Sequence, residues 1–193
     1  MRKVRTAVLV SGGGTNLQAL IDAGLQNAEL SLVVSNKENA YALTRAKNAG
    51  IEAAYIQNDA EFEDKLKKLL DEREIEIIVL AGFLRILSVD FIERFAGRII
   101  NVHPSLIPSF CGKGFYGLKV HEAALARGVK VTGATVHIVT AEADAGPILL
   151  QKAVEIRDGD TPETLQKRVM EEAEWILLPR ALEMLAKKTM NME

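Results

Sequence analysis

Asn101-Val102-His103-Pro104-Ser105 closes a run of branched apolar residues and opens a segment rich in proline and glycine. In an extended chain residues 101 and 103 point to the same side, so an amide and an imidazole are presented together. An imidazole titrates near neutrality and suits general acid–base work, and an amide N–H can meet a developing oxyanion. An isolated histidine is more often a satisfied structural residue. Here the neighbouring Asn101, the proline-containing loop and the strand-end position favour chemistry. Asp144 lies in Glu142-Ala143-Asp144-Ala145-Gly146-Pro147 and by itself reads as a turn residue. Set beside His103, it would hold the ring in one tautomer and favour the imidazolium.

A second signal is Ser11-Gly12-Gly13-Gly14-Thr15-Asn16, between an apolar run and a helical pattern. Glycines permit a tight turn, and free N–H groups at a helix start favour an anion. The alternative is a plain strand-to-helix turn. A dinucleotide fingerprint fits less well, because Leu17 stands where its third glycine would be, and Ser35-Asn36-Lys37 supplies no acidic residue for a ribose. A P-loop would need Gly-Lys-Ser/Thr, which is missing. A site for a single phosphate, such as that of a phosphorylated ribose, remains.

These residues need a scaffold that brings loops together. Val4–Val10, Leu30–Ser35, Glu52–Ile56, Ile75–Ala81 and Arg98–Val102 read as strands, and Asn16–Gln26, Tyr41–Ala49, Glu61–Glu72 and Ser88–Phe95 as helices. Strands apolar along their whole length are buried on both faces, which predicts a single-domain, doubly wound α/β fold with a mostly parallel, Rossmann-like sheet. After residue 103 the pattern changes. An irregular segment (103–118) leads to a helix over Lys119–Ala126. Lys130–Thr140 and Ile148–Ile156 then read as an antiparallel pair, and a long helix over Pro162–Lys187 ends the pattern. Thr161 caps that helix, Pro162 takes its first position, and Pro179 is expected to kink it. The segments 103–118 and 141–147 both follow carboxyl ends of strands, where open α/β sheets bind ligands. One domain, 1–193, is expected, with residues 1–100 as its phosphate-binding half and residues 101–193 as its catalytic half.

Composition narrows the function. With 48% hydrophobic and 26% charged residues and a net charge of −2, the chain is an ordinary folded domain with no general attraction to nucleic acid or anionic membranes. The first apolar run enters the glycine turn and reads as a buried strand, not a signal peptide. No run approaches the roughly 20 apolar residues that span a bilayer. The single Cys111 allows no internal disulfide and points to a reducing, cytoplasmic setting. Three histidines without clustered carboxylates argue against a catalytic metal. His121 reads as structural or rim, and Cys111 as unreactive; His137 and Thr135 share one face mid-strand, where either could shape a cleft floor, although a core histidine hydrogen-bonded to backbone is the better reading.

Four segments taken in order, Ala81-Gly82-Phe83-Leu84-Arg85-Ile86-Leu87, Asn101 to Pro108, Gly133-Ala134-Thr135-Val136-His137 and Asp144-Ala145-Gly146-Pro147-Ile148, resemble the folate-dependent formyltransferases over nearly the whole chain. The glycine turn and compact length resemble the branch acting in purine biosynthesis. The resemblance implies transfer of the formyl group of 10-formyltetrahydrofolate to the amine of glycinamide ribonucleotide, without a metal, in a cytoplasmic monomer or homodimer. It implies Asn101, His103 and Asp144 as the catalytic set, and Gly14, Thr15, Asn16 and Glu174 as substrate ligands. Leu84, Arg85, Ile86 and Leu87, Asn101, and the backbone of Thr140, Ala141, Glu142, Ala143 and Asp144 would hold the folate. Glu174 is flanked at helical spacing by Met170, Leu177 and Leu178, so it is equally readable as a boundary carboxylate.

The chain departs from the family pattern in three places. Asp59 and its neighbours lack an arginine that reaches the folate tail in some members, Trp175 replaces a histidine, and Ser109–Gly117 is extended. Rival readings are hydrolysis of the same donor, formylation of initiator tRNA, and a silent nucleotide-binding module. The first usually carries an extra N-terminal regulatory domain and the second an RNA-binding domain, and the third leaves the Asn101, His103 and Asp144 set unexplained.

Overall fold

Alternate residues of the first strand face opposite layers, Val8 and Val10 joining one apolar cluster and Ala7 and Leu9 another. Two-sided burial of this kind requires helices on both faces of the sheet. In the computed structural model, which describes residues 2–191, β1 (Val4–Val10), β2 (Ala28–Ser35), β3 (Glu52–Tyr55), β4 (Ile77–Leu80), β5 (Ile99–His103), β6 (Val131–Ile138) and β7 (Ile148–Glu155) form one sheet in the order β3-β2-β1-β4-β5-β6-β7. The first five strands pair in parallel, and β6 and β7 are antiparallel additions. The mixed sheet is the architecture expected from the apolar runs followed by the short 141–147 connection.

Helices α1 (Thr15–Asp22) and α2 (Tyr41–Asn48) cover one face, together with α6 (Pro162–Val169) and α7 (Trp175–Met190), while α3 (Phe62–Glu72) and α4 (Val89–Arg94) cover the other. Between β5 and β6 lies α5 (Leu118–Arg127). The first helix stops at Asp22 instead of continuing to Gln26, because Gly24 adopts a left-handed φ of 60° that ends helical geometry. Thr161 accepts from the Thr164 N–H and forms a capping box, with Pro162 in the first turn as expected.

The C-terminal helix is interrupted by a π turn at Met170–Glu174, upstream of Pro179. The expected disturbance therefore includes a register change before the proline. π turns of this sort add a residue to one helical turn and re-aim side chains. Here the turn contains Met170 and Glu174, which both line the cavity described next.

Candidate active site

The neighbouring strands β1 and β4 send their following connections to opposite sides of the sheet, and their carboxyl ends flank a cavity of about 600 Å³. This is the switch point at which open α/β sheets bind ligands. Its walls are residues 12–16 after β1, 81–86 after β4, 101–104 at the end of β5, 112–117, Ala143 and Asp144, and Gln166, Met170 and Glu174. Both halves of the chain contribute.

Asn101, His103 and Asp144 converge there. The His103 Nε2–H donates to the Phe110 carbonyl (2.9 Å), which leaves Nδ1 turned toward Asp144 Oδ2 at 3.6 Å. Asp144 Oδ2 also accepts the Gly112 N–H (2.8 Å). The extended 109–117 segment thus places one backbone acceptor on the histidine and one backbone donor on the aspartate. Burial opposes a charge on Asp144, but the His137 ring, the Gly112 N–H and the His103 ring outweigh it, and the carboxyl titrates below its ordinary value. Asp144 has a left-handed φ of 56°, a conformation aspartate tolerates better than most residues. Gly146 permits this turn to close on β6, because a Cβ there would lie 1.8 Å from the Ile138 carbonyl oxygen.

His137 joins this cluster: it is buried and bonded to backbone, as expected of a core histidine, and it also faces Asn101 and Asp144. The backbone bond is present, Nδ1–H to the Ile138 carbonyl at 3.0 Å, but Nε2 lies 3.2 Å from Asn101 Nδ2 and 3.5 Å from Asp144 Oδ1. The available signal was its spacing from Thr135, which puts both on the strand face opposite His103 and Asn101. Cross-strand register, invisible in sequence, brings them together.

Gly12 to Asn16 all line the cavity, and Gly14 caps α1 with a left-handed φ of 73°. A Cβ at Gly14 would lie 2.6 Å from the Ala42 Cβ. Gly14→Ala is therefore expected to destabilise the fold by about 2–4 kcal/mol, combining left-handed strain with overpacking. Thermal unfolding should show a Tm lower by roughly 5–15 °C; an unchanged Tm would mean that the turn relaxes freely. Asn16 donates from Nδ2 to Glu174 Oε2 (2.7 Å), tying the turn to the C-terminal helix. Glu174 is buried, and burial pushes its pKa up to about 7 against the lowering effect of Asn16.

Ser11, not singled out by sequence, accepts the Leu84 N–H (2.9 Å) and donates to Asn36 Oδ1 (2.7 Å), so it joins the glycine turn to the loop after β4. Leu84, Arg85 and Ile86 line the cavity, Leu84 and Ile86 with exposed side chains, but the Leu87 side chain points into the core beside Phe91 and does not line it. Ala143 and Asp144 line the cavity, whereas Thr140, Ala141 and Glu142 lie outside its wall. Beside residues 57–60 stand two cations: Lys65, whose Nζ lies 3.3 Å from Asp59 Oδ2, and Arg85, which donates to Asn58 Oδ1 (2.6 Å) and the Asp59 carbonyl (3.1 Å) and stacks over Phe62.

His121 is fully buried on α5 and not at the rim, and burial drives its pKa down to about 4. Burial and the Asp144 charge raise the Cys111 thiol, whose Sγ–H donates to the Pro108 carbonyl. Among the described residues no group of three or more His, Cys, Asp or Glu is arranged to hold a metal.

The sequence profile described as "Formyl transferase" matches residues 4–182. The chain is 41% identical to phosphoribosylglycinamide formyltransferase of Haemophilus influenzae, over 89% of this chain and 82% of that protein. It is 44% identical to the human trifunctional purine biosynthetic protein adenosine-3, over 99% of this chain but only 19% of the relative's length. Among solved structures, phosphoribosylglycinamide formyltransferase from Brucella melitensis superposes with a TM-score of 0.87 at 43% identity, covering 96% of each chain. A formyltetrahydrofolate deformylase from Pseudomonas syringae superposes with a TM-score of 0.86 at 27% identity, covering 97% of this chain and 62% of that one.

Proposed function

The chain belongs to the formyl transferase family, and from that premise we propose that it moves the formyl group of 10-formyltetrahydrofolate to the amine of glycinamide ribonucleotide in purine biosynthesis. The observation that carries this reading is one cavity lined both by Asn101, His103 and Asp144 and by the Gly12–Asn16 turn with Glu174. A phosphate on the turn would direct an attached amine toward the catalytic groups. The volume lies within the range of small-ligand sites, and Leu84, Ile86 and Val102 offer apolar surface for a pterin.

Formyl transfer needs no covalent intermediate with the protein, because the acceptor amine is already a nucleophile. Attack on the formyl carbon builds negative charge on its oxygen, which an Asn101 N–H and protonated His103 would meet. With Nε2–H committed to the Phe110 carbonyl, Nδ1 is the ring nitrogen that serves the reaction. The proton leaving the amine travels to the folate nitrogen through His103 or through a water held by Asp144. Arg85, which lines the cavity, is the cation that would meet the carboxylates of the folate tail.

Glu174 gives the reading a pH signature. Its carboxyl is protonated below about 7 and accepts substrate N–H or O–H donors best when ionised. KM for glycinamide ribonucleotide should therefore rise as pH falls, by up to about tenfold per unit below that point. Steady-state kinetics from pH 5.5 to 8.5 should show this limb in the natural protein and lose it in Glu174→Gln. An identical limb in both would assign the effect to another group.

Hydrolysis of the same donor is the second reading, favoured by the likeness to the deformylase. Measuring tetrahydrofolate release with and without glycinamide ribonucleotide separates the two. Transfer requires release to depend on the amine and formylglycinamide ribonucleotide to appear in equal amount; release without the amine would support hydrolysis instead. No described helix is long and apolar enough to cross a membrane. The lone Cys111 and modest net charge support action in the cytoplasm on small molecules, as a monomer or homodimer.

A further inference from the structure

We propose that His137 is a positioning residue whose Nε2 lone pair fixes the orientation of the Asn101 amide, so that the remaining Asn101 N–H faces the reacting oxygen. This rests on the formyl-transfer reading of the site and adds a residue to it. The two ends of an asparagine amide have nearly the same size, so sterics do not choose between its orientations and hydrogen-bond partners do. Around Asn101 that choice falls to one ring. Asn101 and His137 are direct cross-strand partners on β5 and β6, and Nδ2 and Nε2 are 3.2 Å apart. The other ring nitrogen, Nδ1, faces the Ile138 carbonyl at 3.0 Å, an acceptor that can only take a hydrogen. In the neutral ring the proton therefore sits on Nδ1, and Nε2 presents a lone pair to the amide N–H. The ring is buried and cannot turn to water for another partner.

Asp144 Oδ1, 3.5 Å from the same Nε2, is the competing partner: the His137 donation that lowers the Asp144 carboxyl belongs to a ring carrying a proton on Nε2, and in the Nδ1–H form the Gly112 N–H and the His103 ring are the groups that hold that carboxyl ionised. A ring protonated at both nitrogens would donate from Nε2 to Asp144 and expel the Asn101 N–H, reversing the amide. The neutral Nδ1–H form is thus the one that leaves Asn101 able to donate into the cavity. The other Asp144 oxygen keeps its own bond to the Gly112 N–H in either case.

The test combines kinetics with spectroscopy. His137→Phe removes the acceptor and leaves a buried amide N–H unpaired, so kcat is expected to fall roughly 10- to 100-fold, with KM for both substrates changed less than about twofold. His137→Gln, which restores an acceptor, should recover most of that loss. In an Asn101→Ala background the same His137→Phe change should cost less than about twofold, because it acts through the missing amide. Long-range ¹H–¹⁵N spectra of the unmodified protein at pH 7.5 should show His137 protonated at Nδ1 alone. Fully multiplicative losses in the double variant, or a ring protonated at both nitrogens, would overturn the assignment. Should His137→Phe not fold, the glutamine variant and the spectra decide. Lack of transfer by the unmodified protein defeats the formyl-transfer reading, whereas normal transfer with multiplicative losses defeats only the role of His137.

Discussion

His103→Ala is expected to lower kcat by roughly 10²–10⁴-fold, the range that a positioned general acid–base group contributes. The ring is buried, with Nε2 bound to the Phe110 carbonyl and Nδ1 facing Asp144, so alanine removes a preorganised proton carrier. Water admitted to the gap would lack the fixed orientation of the ring. Affinity for an unreactive folate analogue, measured by calorimetry, should change only a few-fold, because the apolar surface proposed for the pterin, at Leu84 and Ile86, is untouched. Single-turnover rates should carry the whole loss. Turnover within about tenfold of the natural protein would place the proton transfers elsewhere.

Asn101→Ala should cost roughly 10²–10³-fold in kcat, the usual consequence of deleting one oxyanion donor. The amide is part-buried at the end of β5, where its dipole is held in place before charge develops. Folate binding should weaken far less than turnover, since the amide meets charge that exists only during reaction. Equal losses in binding and turnover would recast Asn101 as a ground-state ligand, and near-normal turnover would remove it from the mechanism. Asn101→Asp offers a sharper contrast. It keeps the shape but places an acceptor against the developing oxyanion, so it should fall at least as far as alanine.

The parallel core was readable because β1, β2, β4 and β5 repeat one physical demand, apolar side chains on both faces, which the edge strand β3 does not share. Element ends were less readable. The Gly24 conformation that ends α1 early is local and could have been anticipated, but the π turn at Met170–Glu174 is not written in helix propensity. Leu87 shows the same division. Its motif groups it with the cavity-lining residues, and only packing shows that its side chain joins the core cluster that holds Phe91.

By itself the sequence determined the class of fold, the glycine turn before α1 and the pairing of Asn101 with His103, because strand alternation and glycine conformational freedom act over a few residues. Tertiary structure alone decided that Asp144 reaches His103, that Glu174 meets Asn16, and that His137 joins the site. Those contacts depend on antiparallel register, loop closure and helix phase, which arise from the packing of segments up to 158 residues apart. No window of sequence encodes a distance of that kind; burial and hydrogen-bond satisfaction across the whole sheet select it.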